Sequence, residues 1–546
     1  MNNDPRNSQS IHFLKTNYMK YFFLRFTAAI ALLLSTSFAV NAQPILDNTF
    51  SGDGYLLTKV SAAGDDIPRT VLIQSNGRIL TGGNSFGISG FSDINIMRTK
   101  PNGNLDNSFG TAGIATIPGG FFCDMALLPG GKIIVAGSGV GPTNANNFIV
   151  YRLTKTGLLD TTFGNGGSVE VNIPNQSMIC FDVVIQSDGK ILLGGYVGGY
   201  ANNDMLVVRL KANGNIDNTF ATGGKFIFLQ TSKNSECRQI ALQADGKIIV
   251  GGAIDTLVFT AFLRYDYAAL RLTTNGTLDN TFGVGGVVRA NKADTEIATA
   301  VSVLSDGRIV LGGYSNFFGN TRFAALCLLP NGSFDTSFGT GGWSFSDFYG
   351  GTALCNALAV EGDDDIILAG TVYISAGASY QTIGMAKLLS NGAPDNTFGI
   401  SGIDTSFYGT TGEGCNDIAL QSDNKIVIAG YRYTGANSSY LIARYTNSAA
   451  LIKQTSPVIA DVFDVNIYPN PNSGAFVVTL SNPVDEDATI TIINTMGQVV
   501  YADKFSSSTH KLSLSIALNP ELADGIYYIN IISGEQVITK QLVKQR

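Results

Sequence analysis

Histidine and tryptophan are almost missing from this chain. In 546 residues there are two histidines, His12 and His510, and one tryptophan, Trp343. Both histidines fall outside the repeated part of the sequence. That part therefore has no Ser-His-Asp triad, no Cys-His pair and no histidine-ligated zinc or iron. A tryptophan-rich stacking surface for sugars is excluded as well, which leaves tyrosine and phenylalanine. Charge is scarce too, at 14% of residues with a formal net charge of −7. Disorder needs high charge and few aromatics, and nucleic-acid binding needs clustered Lys and Arg; the chain has neither pattern. No segment after the first 42 residues could span a bilayer as a helix, and no helical periodicity interrupts the repeated part. The chain is rich in glycine, 63 residues, together with Val, Ile, Phe and Tyr. That is the composition of a β-rich protein with many tight turns, and the length predicts more than one domain.

Residues 1–42 read as a secretory signal peptide. Lys15, Lys20 and Arg25 precede an apolar run from Phe26 to Val40, and Val40-Asn41-Ala42 supplies small residues for cleavage before Gln43. The run is short for a transmembrane anchor, which needs about 20 residues.

From residue 43 to 446 one unit of about sixty residues recurs seven times. Its first landmark is Leu-Asp-x-x-Phe, with aspartates at 47, 106, 160, 217, 279, 335 and 395. The second is a polar turn running into an apolar strand, as in Asp188-Gly189-Lys190-Ile191 and Asp245-Gly246-Lys247-Ile248. Asp-Gly at that place signals a tight hairpin, because such turns need residues that tolerate positive φ. Each unit carries four strands; in the fifth they read Gly286 to Ala290, Ala298 to Leu304, Arg308 to Tyr314 and Phe323 to Leu329. Seven four-stranded units predict an all-β fold, a seven-bladed β-propeller. A parallel β-solenoid is the alternative, though its coils usually have shorter periods and lack four hairpin-linked strands.

Closure of the ring is also predicted. An arginine stands eight residues before the motif aspartate in Arg98/Asp106, Arg152/Asp160, Arg209/Asp217 and Arg271/Asp279. These pairs read as structural locks rather than catalytic groups. The seventh unit ends at Arg444 with no aspartate after it, whereas Asp47 has no arginine before it. The N-terminal segment is expected to dock on the last blade, so that Asp47 serves Arg444.

With Leu278 to Gly283 and Gln243 to Ile248 as its motifs, the repeat region resembles the bacterial delta-60 repeat proteins. That resemblance implies architecture and surface context rather than an activity. After a polar linker, 447–461, residues 462–546 change pattern: Asn466-Ile467-Tyr468-Pro469-Asn470-Pro471-Asn472-Ser473-Gly474, then short alternating strands with turns between them. This predicts a small Ig-like β-sandwich. The tail closely resembles the type A C-terminal sorting domain of the type IX secretion system in Bacteroidota. The resemblance implies passage through the periplasm, recognition by the type IX machinery at the outer membrane, and surface attachment or release.

Candidate sites are fewer. Five of the six cysteines, Cys123, Cys180, Cys237, Cys355 and Cys415, recur at nearly one register, and the cysteines are expected to be small buried free thiols. The Asp-Gly-Lys turns raise the possibility of structural Ca2+, but turn formation alone explains them and a neighbouring Lys disfavours a cation; no other cofactor is expected. Asp66, Glu296 and Glu413 share a register just before the second strand of the unit, an end that would have to lie near the axis, with Glu236 one residue later. They could ring a channel mouth and hold a cation through oxygen ligands. Variable loops on a rigid scaffold usually carry binding, and here they hold Phe259, Phe262, Tyr265 and Tyr267, Tyr196 and Tyr200, Phe317 and Phe318, and Tyr431 and Tyr433. Aromatics there could contact a glycan or a surface protein. The expectation is an exported, non-catalytic binding or structural scaffold. The competing class is a carboxylate-dependent polysaccharide-active enzyme, which needs two carboxyls on one face, about 5 Å or 6.5–9.5 Å apart.

Overall fold

The structure is a computed structural model. It describes residues 44–61, 64–87, 92–140, 146–199, 202–230, 234–255, 264–292, 295–317, 319–348, 351–374, 380–406, 412–447, 465–480, 488–494, 499–505, 513–533 and 536–545. The expected signal peptide, most of the linker, and Tyr200, Phe259, Phe262 and Phe318 lie outside these residues. The chain divides into two compact units, Met1–Leu451 and Ile452–Arg546.

The described residues of the first unit form seven antiparallel sheets and no helix. Each sheet has an innermost strand, and successive innermost strands pack on one another around an axis: Asp66–Ile73, Phe121–Leu127, Ser177–Ile185, Ser235–Leu242, Thr295–Val303, Thr352–Val360 and Glu413–Leu420, the last returning to the first. The fold is a seven-bladed propeller. Blades are displaced by one strand from the sequence units. Val287–Ala290, which opens the fifth unit, is the outermost strand of the fourth blade, paired with Tyr265–Leu272. The displacement leaves the last blade short by one strand, and the N-terminal segment fills the place. Tyr55–Thr58 and Ile45–Leu46 both pair with Asn437–Thr446.

No single core holds the ring. Seven apolar clusters each lie between two neighbouring blades, as where Val71, Ile79 and Met97 of the first blade meet Val427, Ala429 and Ile442 of the last. The motif phenylalanine plugs each of them: Phe50, Phe109, Phe163, Phe220, Phe282, Phe338 and Phe398 are all buried. Burying one such ring stabilises by about 1.5–3 kcal/mol, and the ring does so seven times.

The motif aspartate and its arginine form the lock beside that phenylalanine. Arg209 Nε lies 2.9 Å from Asp217 Oδ2, its guanidinium sits 4.5 Å above the Phe220 ring, and it donates to Thr274 O of the next blade at 2.6 Å. Arg98, Arg152 and Arg271 repeat this with Asp106, Asp160 and Asp279 at 2.9, 2.7 and 2.9 Å. The seventh lock joins the two ends of the unit, Arg444 Nε to Asp47 Oδ2 at 2.9 Å, with Arg444 4.9 Å above Phe50. In the fifth blade, where Cys327 stands in the arginine's place, the turn residue Arg308 reaches Asp335 at 3.1 Å instead.

The second unit consists of two antiparallel sheets. One contains Val465–Tyr468, Ala475–Leu480 and Ser513–Ala517; the other contains Val499–Phe505, Ala488–Asn494, Gly525–Ser533 and Gln536–Lys544. Both contribute to one core, from Phe476 and Ile516 on one side to Ile490, Ile529 and Leu542 on the other, which makes a seven-stranded sandwich. Asn472 ties the first hairpin to the last strand, donating to Val543 O from its backbone at 2.9 Å and from Nδ2 at 3.0 Å.

Candidate functional site

Every innermost strand bulges at the same place. Its register against the second strand slips by one residue, between Pro68 and Thr70 in the first blade, Phe122 and Asp124 in the second, Cys180 and Asp182 in the third, and likewise in the other four. A bulge leaves one residue unpaired and turns it out of the ladder. The seven residues so displaced are Arg69, Cys123, Phe181, Arg238, Thr299, Asn356 and Asn416, and all seven line one cavity of about 500 Å³. Phe121, Ser138, Asn146 and Ile179 complete much of its wall. The bulge depends on a glycine opposite. A Cβ at Gly252 would lie 1.9 Å from Glu236 O, and one at Gly313 2.0 Å from Ile297 O.

Hydrogen bonds cross all seven blade junctions around this cavity. Thr70 Oγ1 donates to Asp124 Oδ1 at 2.8 Å, and Asp124 Oδ2 accepts from Val183 N at 3.0 Å. Asp182 accepts from Ile240 N at 2.7 Å, and Gln239 Oε1 from Val301 N at 2.7 Å. Thr299 Oγ1 donates to Cys355 O at 2.9 Å, and Asn356 Nδ2 to Cys415 O at 2.7 Å. Asp417 accepts from Val71 N at 2.7 Å and closes the circle. Burial pushes the Asp124 and Asp182 carboxyls up, and pushes Asp417 to about 7 against the hydrogen bond from Val71.

The cavity is cationic. Among the described residues no carboxylate and no imidazole lines it. Arg69 is exposed there and makes no hydrogen bond or ion pair with any described residue. Arg238 lies over the Phe181 ring at 4.4 Å and pairs through one terminal nitrogen with Glu236, while its buried Nε has no partner. Cys123 is the one cysteine that is not buried. Hydrogen bonds with the Cys180 thiol and Ser138, and the charge of Arg69, pull its thiol below the ordinary value; burial pushes Cys180 up. The thiols are free, as the register suggested, but Cys123 occupies the bulge itself rather than the buried site before it.

The acidic register is placed differently from the expected channel mouth. Asp66, Glu296 and Glu413 are fully buried and Glu236 nearly so. Asp66 accepts from Val60 N and Ser61 N at 2.8 and 3.0 Å, with Lys59 at 3.3 Å. Glu296 accepts from Lys292 N at 3.0 Å, and Glu413 pairs with Arg432 at 2.6 Å. No three of the four bring their oxygens within 4.8 Å of one another, so they do not gather around a cation. Asp66 and Glu296 cap the segments that enter their innermost strands, whereas Glu413 and Glu236 pair with arginines. The one such acidic group among the described residues is Glu361, Asp363 and Asp365, and Lys387 Nζ already lies 2.8 Å from Glu361. The turn carboxylates are likewise met by lysine, Lys190 with Asp188 at 2.6 Å and Lys425 with Asp423 at 3.1 Å.

The loop aromatics scatter. Tyr267 is not on a binding face: it is fully buried between blades, 5.1 Å from Trp343, and donates to Ala324 O. Phe317 is exposed at a hairpin tip, and Tyr431 and Tyr433 form an edge-on pair 5.6 Å apart. Tyr196 lies tilted 5.7 Å from Phe181, and the half-buried Tyr265 titrates at about 12 through burial and the nearby Glu236. Tyr196 thereby adjoins the cavity wall. Sequence reasoning missed the bulge residues, although each stands nine positions before the turn Lys or its substitute. The usable signal was the glycine that recurs opposite them.

Fold and cavity together define a β-propeller with a ligand-sized axial cavity and a separate C-terminal sandwich. The "Domain of unknown function (DUF5122) beta-propeller" matches seven segments, residues 74–109, 128–163, 186–220, 243–282, 304–338, 361–398 and 421–448, and a "Secretion system C-terminal sorting domain" matches 466–545. The chain is therefore a seven-repeat member of that propeller family carrying a type IX sorting tail, which directs export to the cell surface or the extracellular space. No curated protein matches it. Solved structures similar to it include a polysaccharide lyase of family PL25, an ulvan lyase bound to -[GlcA(1-4)Rha3S]-, at 11% identity over 69% of this chain and 95% of that one, TM-score 0.39. A Penicillium chrysogenum alpha-L-arabinanase complexed with arabinobiose stands at 11%, 64%, 97% and 0.37 in the same measures. A mannose phosphorylase from Leishmania mexicana stands at 15%, 51%, 90% and 0.29.

Proposed function

We propose that the protein is an exported, non-catalytic binding scaffold that takes its ligand in the axial cavity. Its route runs through the periplasm, with the sandwich at residues 462–546 engaging the type IX machinery and the propeller then held at, or released from, the outer surface. The observation that carries the reading is the convergence of seven bulge residues of five kinds, Arg69, Cys123, Phe181, Arg238, Thr299, Asn356 and Asn416, on one cavity. A volume of about 500 Å³ lies in the usual range for small-ligand sites. Acid–base hydrolysis of a glycoside asks for two carboxyl groups facing the bond, and the residues lining the cavity supply none. The test is a binding screen of the full chain against immobilised glycans and outer-surface proteins, run beside an assay for new reducing ends. Saturable binding that free ligand displaces, without product formation, is the expected result. Turnover of a bound polysaccharide would replace the scaffold reading with the enzyme one.

A further inference from the structure

Three groups in the axial cavity lack the partners that the rest of the molecule provides. Arg69 carries a full positive charge and touches no acid or acceptor among the described residues, whereas every lock arginine on the opposite face meets its aspartate. Arg238 keeps a buried Nε–H without an acceptor, and an unsatisfied buried donor is costly unless something completes it. Phe121 stands at the start of its innermost strand with 49% of its surface open, on the wall of the same cavity. An exposed aromatic beside two guanidinium groups, in a chain whose net charge is −7, is the wall that an anionic ring compound would complete. Guanidinium forks fit carboxylate and sulfate oxygens, and aromatic faces take the C–H side of a sugar.

Resting on the binding reading above, we propose that the ligand is an acidic saccharide, with its carboxylate or sulfate groups drawn to Arg69 and Arg238 and a sugar ring laid against Phe121 and Phe181. Arg69 and Arg238 come from the first and fourth blades, so they lie across the axis from each other and select a ligand long enough to span it. Thr299, Asn356 and Asn416 each donate to a neighbouring blade, and the asparagines keep a second N–H apiece, so the two arginines are the charged donors of the cavity. Glu236 holds Arg238 in place and neutralises only one of the two charges.

The experiment is calorimetric titration of the full chain with three probes of similar length: a galacturonate tetramer, a sulfated galactan tetramer and neutral cellotetraose. One acidic probe is expected to bind, and the first two arms decide between carboxylate and sulfate. Affinity is expected to fall about tenfold or more in Arg69→Ala and in Arg238→Ala, the usual size of a lost charge-assisted contact, and to fall again with added salt. Phe121→Ala should weaken binding while leaving Tm unchanged. If cellotetraose binds as tightly as the acidic probes and Arg69→Ala changes nothing, the acidic ligand is overturned and the scaffold reading survives. If none of the three binds but the wider screen finds a protein ligand, the saccharide is overturned alone. If neither experiment finds a ligand, both readings fall.

Discussion

The two ends of a blade obey opposite rules. At the end that carries the Leu-Asp-x-x-Phe and Asp-Gly-Lys turns, six of the seven blades repeat one device, a buried cation on an aspartate beside a plugged phenylalanine, and the fifth recovers it with Arg308. At the axial bulge the backbone repeats in all seven blades, but no pattern links the side chains: two arginines, two asparagines, a threonine, a cysteine and a phenylalanine. Identical geometry with identical residues serves cohesion. Identical geometry with unlike residues makes a surface that can tell one ligand from another. Evenness marks the scaffold and unevenness marks the site.

Mutations at the two ends should therefore separate stability from binding. The largest loss is expected from Asp47→Ala, which strands Arg444 and uncouples the N-terminal strands from the last blade. Breaking a buried pair on one side costs about 3–5 kcal/mol, so Tm should drop steeply and limited proteolysis should cut first near residue 45. Asp217→Ala removes an equivalent lock inside the chain. If it matches Asp47→Ala in Tm but leaves the N-terminus protected, closure has been distinguished from local cohesion.

Gly252→Ala comes next. Its new Cβ would meet Glu236 O at 1.9 Å, and overpacking of this kind costs about 1–3 kcal/mol. It should both lower Tm and reshape the cavity beside Arg238, so it is the one change expected to move stability and binding together. A Tm equal to that of the parent would show that the bulge does not require glycine.

Acid and base should press on the two ends in opposite directions. Burial alone would raise the Asp47 carboxyl, but hydrogen bonds from Thr49 and Lys425 and the charge of Arg444 hold it at about 2, below its ordinary 3.8. Its contribution is complete above pH 3.8 and is lost as pH falls through about 2. Asp417 is the reverse. With a folded value of about 7, it favours the folded state most below pH 3.8, and that contribution is lost as pH rises through about 7. Thermal melts from about pH 2 to about pH 9 should show both flanks, and Asp417→Asn should lessen the alkaline one, which the raised Asp124 and Asp182 share, while leaving the acid one in place. The smallest effect is chemical. Brief treatment of the native protein with iodoacetamide should label Cys123 ahead of the five buried thiols, as read by peptide mass spectrometry, and Cys123→Ser should leave Tm where it was.

Much of the scaffold could be read directly from residues. A period of about sixty, an arginine eight places before an aspartate, and one aspartate without its arginine were enough to expect seven blades and a seam at Asp47 and Arg444. The site was hidden for the same reason that it can be specific. A repeat search weights positions that agree, and position 69 and its equivalents disagree in every blade but two pairs. The acidic register of Asp66, Glu296 and Glu413 was seen correctly as a register, but spacing along a strand does not say whether a carboxylate faces water or a loop amide. Tyr267 misled in the same way, because its neighbours in sequence belong to a loop while its ring belongs to an interface with Trp343.

The one-strand displacement between sequence units and blades has a consequence for how such a chain can be finished. Tyr55–Thr58 precedes every blade in the sequence and pairs with almost the last part of the seventh repeat, Asn437–Thr446. The circle cannot be sealed by any six repeats, nor by seven without the leading segment. Sealing thus works as a count of the repeats: a chain cut short within them keeps an open strand edge, and one that runs through Thr446 hides it.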